Sequence, residues 1–312
     1  MKPKYLTISL LVLLAVGCDV SNPRTITHFQ TSSSVVDVFA RKDTLLVAAS
    51  DSSLLAFDIS KPKEPRELWH ANLGRDCRCV IAAGAAAYVG TDSGIVIYHL
   101  PTGDRTRQSV GGSSQVVTGL VADSTRLCAA TADGVTVFSL TSLDPVRYIP
   151  MAGEPTGVAR RDSRLFVSLR DWGVRMFNIL PGDSFALDTM RLGRHNRTEG
   201  VTVSTGGYCI ISQGDSGHGI YYTPFADSVV SEGGGGGSDN SAHAAVANDG
   251  AQEVTIYIAD SSDVTIVRGA GSSWEGESGF ADFAGFTRRI CLGGNGYVYT
   301  ASGDAGIYII RE

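Results

Sequence analysis

Seven imperfect copies of one short unit fill the chain from Leu45 to its end, and a repeat of this length constrains the fold more than any other feature. The unit reads LLVAASDSSLLAFDI from Leu45, AYVGTDSGIVIYHL from Ala87, LCAATADGVTVFSL from Leu127 and LFVSLRDWGVRMFNIL from Leu165. Weaker copies begin at Tyr208, Thr255 and Tyr297. One apolar position in the second run of each copy, held by Phe57, Tyr98, Phe138, Phe177, Tyr222, Val267 and Ile309, recurs at intervals of 39 to 45 residues. A unit of that size cannot bury its own apolar surface alone, so its copies must stack on one another.

Each copy reads as β-structure. Runs rich in Val, Ile, Tyr and Phe are separated by Asp92-Ser93-Gly94, Asp133-Gly134 or Asp171-Trp172-Gly173, which are the residues that close tight hairpins. A further short strand precedes each pair: VVDVFA from Val35, CVIAAG from Cys79, VTGLVA from Val117, TGVARR from Thr156 and EGVTVS from Glu199. A more polar fourth follows, as in RELWHANL from Arg66 and VRYIPMAG from Val146. Four strands in about 40 residues is the arithmetic of a propeller blade. The last copy ends after its third strand, whereas RTITHFQ, from Arg24 to Gln30, has the alternation of an outer strand with no copy of its own. The expected fold is therefore all-β: a seven-bladed β-propeller of four-stranded antiparallel blades, with the N-terminal strand closing the last blade. A monomer is expected.

The units AYVGTDSGIVIYHL and LLVAASDSSLLAFDISKPKEP resemble LVIVD repeats, which occur in bacterial secreted and surface proteins. The first copy is the most similar, down to Asp58-Ile59-Ser60 and the prolines Pro62 and Pro65. The resemblance implies a propeller scaffold and carries no reaction with it.

The first residues read as an address. Lys2 and Lys4 precede an apolar stretch from Leu6 to Val16, too short for the roughly 20 residues of a membrane-spanning helix. Ala15-Val16-Gly17-Cys18 resembles the bacterial lipobox, with Ala15 where Leu is commonest. That resemblance implies a signal peptide over residues 1–17 and a palmitate-type acylated Cys18. A tether over 18–23 and one propeller domain over 24–312 would follow. An ordinary cleaved signal and an uncleaved anchor are the alternatives. The expected location is the bacterial cell envelope, lipid-anchored to a membrane and facing periplasm or exterior. Losing residues 1–17 takes Lys2 and Lys4 from the 26 basic side chains and none from the 32 acidic ones, deepening the net charge from −6 to about −8. Such a balance argues against a nucleic-acid partner, since affinity for phosphate rests on clustered Lys and Arg.

A site in a propeller is sought at the mouths of the channel, which the innermost strands line. Aligning those strands places Asp37, Cys79, Gly119, Gly157, Gly200, Ala245 and Arg289 at one level, and Arg78, Thr118, Thr156, Glu199, His243 and Arg288 just before it. Asp37, Arg78, Glu199, His243 and Arg289 are the candidate channel or binding residues. The plainer reading is steric: strands converging on an axis leave room for little more than glycine, Asp37 and Arg289 pair across the closure, and the rest are solvated loop ends.

No residue is assigned as catalytic, no metal site is read and no cofactor is implied. The chain has no Gly-x-Ser-x-Gly elbow, zinc helix or phosphate loop, and its six histidines show no ligand spacing. Asp215-Ser216-Gly217-His218 offers an acid-base pair but falls on a hairpin turn. Beyond Cys18, the cysteines Cys77, Cys79, Cys128, Cys209 and Cys291 read as buried apolar residues, with Cys77-Arg78-Cys79 open to a redox or metal reading. EGGGGGSD, residues 232–239, reads as a flexible loop. Trp274, Phe280, Phe283 and Phe286 read as the outer strand of blade six, or else as a recognition patch. Two functions follow: a tethered binding or scaffold module for a protein or glycan partner, or a hydrolase or lyase working through Asp37, Glu199, His243 and Arg289.

Overall fold

The computed structural model describes residues 25–108, 116–180, 182, 184–192, 197–223, 230–235, 244–250, 253–261, 263–270, 273–277 and 283–311. The expected signal and tether segments, Cys18, His243 and Phe280 lie outside them. The described strands form seven four-stranded sheets. Blade one consists of Val35–Arg41, Thr44–Ala49, Ser53–Asp58 and Arg66–Asn72, paired in chain order. Blades two to six repeat the pattern from innermost strands Cys77–Ala83, Val117–Ala122, Pro155–Arg161, Gly200–Val203 and Ala244–Asp249. The innermost strands touch one another in sequence, and Arg289–Leu292 of blade seven meets Val35–Arg41 of blade one, so the ring is closed.

Closure uses the N-terminal strand, as the sequence implies. Blade seven supplies Arg289–Leu292, Val298–Ala301 and Ile307–Arg311, and Thr25–Phe29 pairs antiparallel with the last of these, from Thr25 opposite Arg311 to Phe29 opposite Ile307. Side chains reinforce the ladder. The Phe29 ring meets Phe57 edge-on at 5.0 Å, His28 stacks on Tyr308 at 4.7 Å, and the Gln30 amide donates to the Asp304 carbonyl at 2.9 Å. A sheet edge that would otherwise recruit a foreign strand is covered.

The core is not a single centre. Seven apolar clusters each fill the gap between one pair of adjacent blades. Strand Thr44–Ala49 shows why its sequence is apolar without alternation. Leu45, Val47 and Ala49 face blade seven, whereas Leu46 and Ala48 face blade two. Both faces of a middle strand are interfaces, so every position from Leu45 to Ala49 is buried. A continuous apolar run is the signature of such a strand. Outer strands have one exposed edge, and Leu68, Val146 and Leu187 reach solvent there.

Two loop readings change. Glu232–Gly235 does not form a free loop but belongs to the outer strand Val230–Gly235 of blade five, with Gly233, Gly234 and Gly235 opposite Ile220, Gly219 and His218. Pairing uses backbone N–H and C=O groups alone, so an edge position tolerates glycine where a packed strand would not. Residues 236–239 lie outside the described structure. The aromatic run divides. Trp274 lies on the outer strand Ser273–Glu277 of blade six and packs edge-on against Tyr208 at 5.2 Å, while Phe283 stacks on Tyr308 at 4.0 Å. Phe286 stays exposed.

Candidate functional site

The innermost strands of blades one to four carry the same irregularity. Their register slips between Val35 and Asp37, Cys77 and Cys79, Val117 and Gly119, and Pro155 and Gly157. One extra residue at each slip leaves the ladder, and a bulge of this kind re-aims a side chain. The residues so released, Val36, Arg78, Thr118 and Thr156, line a funnel of about 410 Å³ together with Glu199, Arg288 and Arg289. Arg170, Arg197 and Phe286 complete its wall. Below it a throat of about 150 Å³ is lined by Asp37, Cys79, Gly119, Gly157, Gly200, Ala245 and Arg289. The level read from the repeat is thus one ring of residues.

Asp37, Arg78, Glu199 and Arg289 converge on this funnel and throat; His243 lies outside the described residues. Asp37 is buried, and its carboxylate accepts the Val38 N–H at 2.9 Å and, from blade two, the Val80 N–H at 2.8 Å. Burial pushes its pKa up from 3.8 to about 6, against the opposing pull of the Arg289 charge and the two N–H donors. No direct ion pair joins Asp37 to Arg289; the short contacts of the carboxylate are backbone amides. Asp37 therefore fastens blade one to blade two.

The threonines of the rim act in the same way. Thr118 donates to the Pro155 carbonyl at 2.8 Å and Thr156 to the Thr198 carbonyl at 2.8 Å, each reaching the next blade. Gly119 has the steric role expected of it, since a Cβ there would lie 3.0 Å from the Gly157 Cα; one on Gly157 would meet the Gly200 Cα at an ordinary 3.7 Å.

Two of the funnel's arginines carry their own counter-ions. Arg170 donates twice to Glu154, at 2.8 and 2.7 Å. Arg197 meets Glu199 at 2.9 Å and Asp215 at 3.3 Å. Arg288 lies over the Phe286 ring at 5.2 Å. Arg170, Arg197 and Phe286 arrive from hairpin or linker positions that an alignment of inner strands does not sample. Loop arginines beside a channel mouth were the signal available.

The other motifs separate. Asp215 is exposed beside Arg197, while His218 is buried with its pKa lowered to about 4 by desolvation, against the opposing charge of Asp260. That pair does not meet. Cys77, Cys79, Cys128, Cys209 and Cys291 are free thiols, and all but Cys291 are fully buried. Burial pushes Cys77 and Cys128 up to about 12 and raises the other three as well. The slip at Arg78 also parts the Cys77-Arg78-Cys79 motif, because Cys77 packs between blades one and two and Cys79 between blades two and three. Among the described residues, no group of three or more His, Cys, Asp or Glu side chains is placed to hold a metal ion.

No family model and no curated protein matches the chain, so the LVIVD resemblance rests on the quoted motifs alone. Solved structures do match. The computationally designed Ika8 protein is 13% identical, with a TM-score of 0.63 over 92% of this chain and 98% of its own. The structure of U3-55K is 13% identical, with a TM-score of 0.73 over 93% of this chain and 98% of that one. Identities this low speak to architecture and not to activity, and the architecture they share with this chain is the β-propeller.

Proposed function

We propose that this protein is a binding module that captures its partner at the arginine-lined funnel, held to a membrane of the cell envelope through acylated Cys18. The partner is a protein or a glycan. The observation carrying this reading is the funnel itself: blades one to four each turn one residue out of the ladder into the same opening. Binding groups held on a closed, packed ring are pre-organised, which spares much of the ordering cost of association. The rival acid-base reading has one observation in its favour, the raised pKa of Asp37. Against it, the Asp37 carboxylate is engaged by the amides of Val38 and Val80.

The test places a photoreactive amino acid at Val36 in the funnel or at Leu68 on the perimeter, in intact cells. A specific adduct from Val36 and none from Leu68 is expected, and Cys18→Ala should move the protein out of the membrane fraction. Equal labelling from both positions would remove the funnel as the capture site. Continued sedimentation of the Cys18→Ala variant with membranes would remove the lipid tether.

A further inference from the structure

We infer that the funnel receives an oxyanion, a carboxylate, sulfate or phosphate group borne by the partner, gripped by Arg78 and Arg288 with Arg289 at the floor. The inference rests on the funnel being the binding site and names the chemistry that it selects. Among the described residues, five arginines line the funnel against one carboxylate, Glu199. The chain as a whole carries a net charge of −6. The positive surplus is therefore local and runs against the overall balance.

The surplus is also divided in a way that leaves donors unspent. Arg170 and Arg197 are committed to Glu154, Glu199 and Asp215. Arg78 is exposed and, among the described residues, has neither an ion pair nor a hydrogen bond. Arg288 is exposed too, and its contact is with the face of Phe286, which orients a guanidinium while leaving its N–H edge unused. The two arginines stand on blades two and seven, on either side of blade one. There the released residue is Val36, which offers no side-chain acceptor to compete for them. Thr118 and Thr156, farther round the rim, already donate their hydroxyl protons to the neighbouring blades.

Beneath this pair lies Arg289, half-buried at the entrance to the throat. Its attraction for Asp37 operates without direct contact, because that carboxylate is held by the amides of Val38 and Val80. Three guanidiniums thus surround an opening, and among the described residues none of them is held in an ion pair. A planar guanidinium fork matches two oxygens of a carboxylate, sulfate or phosphate at once. The surrounding walls also focus the field on an incoming anion.

Isothermal titration calorimetry on the full chain in detergent micelles, with inorganic phosphate, sulfate and citrate as separate probes, tests the inference. Binding of at least one probe is expected, weakening with ionic strength as screening requires. The doubly substituted Arg78→Gln, Arg288→Gln variant should lose roughly 10- to 100-fold in affinity, the scale of charge-assisted hydrogen bonds. Arg66→Gln, on the outer strand of blade one, should lose none. Absence of binding by every probe, or equal affinities for the wild type and the double variant, overturns the inference. The capture experiment separates the two claims. If the Val36 adduct is lost in the double variant and no anion binds or competes, the funnel remains the binding site and the oxyanion assignment falls. If the adduct survives in the double variant and no anion binds, the assignment falls together with the role of these arginines in capture.

Discussion

Asp37 offers the sharpest physical check on the channel, because its environment sets the sign of a pH effect. In the unfolded chain its carboxyl titrates near 3.8; in the ring, burial raises this to about 6. The native state then binds the proton more tightly than the unfolded state does. Its contribution to stability is complete below about pH 4 and is lost as the pH rises through about 6. A shift of roughly two units corresponds to about 3 kcal/mol. Arg289 works in the opposite direction, since its charge favours the carboxylate. Urea unfolding of the wild type and of Asp37→Asn between pH 4 and 8 isolates the effect, because titrations common to both proteins cancel in the difference. Asparagine holds one acceptor oxygen where aspartate has two, so one of the Val38 and Val80 amides loses a good partner. That adds an offset which does not vary with pH. The stability of the wild type relative to Asp37→Asn should fall by roughly 2–3 kcal/mol across the range, the first part of the full effect being lost already by pH 4, just above the unfolded value. In Arg289→Gln the fall should be larger in total and should extend to higher pH, because the native carboxyl loses the charge that holds its pKa down. A difference that stays flat, or that grows with pH, would refute the account of Asp37 as a carboxylate raised by burial.

The clasp and the throat give two further tests. Phe29→Ala removes the edge-on contact with Phe57 and should cost about 2 kcal/mol, below the range for a fully buried phenylalanine because Phe29 is half-buried. Limited proteolysis should then release the N-terminal segment before cutting elsewhere, and an unchanged cleavage order would show that the ring does not depend on the clasp. Gly119→Val drives a branched side chain into the Gly157 backbone and should cost roughly 1–3 kcal/mol in denaturant midpoint analysis. Gly294→Ala, with nothing within 4 Å of the added carbon, should stay within about 0.5 kcal/mol.

Legibility in the sequence followed the physics of each feature. Leu45 to Ala49 is apolar throughout because both of its faces are interfaces, and that requirement leaves a mark which recurs in every blade. Thr25–Phe29 was readable for a related reason, as an alternating strand with no copy of its own beside a copy lacking its fourth strand. The level from Asp37 to Arg289 was readable because each innermost strand stands at a near-constant distance along the chain from the strand after it, and the close approach at Gly119 adds a small-residue mark. The slips were not. A bulge inserts one residue without dictating its side chain, so the shared position holds an apolar residue at Val36, a cation at Arg78 and hydroxyls at Thr118 and Thr156. Regular alternation would put Cys77 and Cys79 on one face, whereas the slip at Arg78 divides them, so the motif left open in the sequence could not be resolved there. Glu232–Gly235 escaped for the complementary reason, since an edge ladder needs backbone groups and no particular side chain.

The same distinction separates scaffold from site. Packing between blades constrains the repeated positions so tightly that change there registers as lost stability. In blades one to four the bulged residue stands outside the ladder; Thr118 and Thr156 use that freedom to bond the next blade, whereas Val36 and Arg78 make no such bond among the described residues. Each of these four blades therefore aims one position at the channel whose side chain the ladder does not dictate. In this chain the second blade filled it with Arg78, and Arg288 and Arg289 follow the outer strand of the sixth. Because the repeat sets the positions and not their side chains, the charge of the funnel, unlike the ring that carries it, has to be read residue by residue.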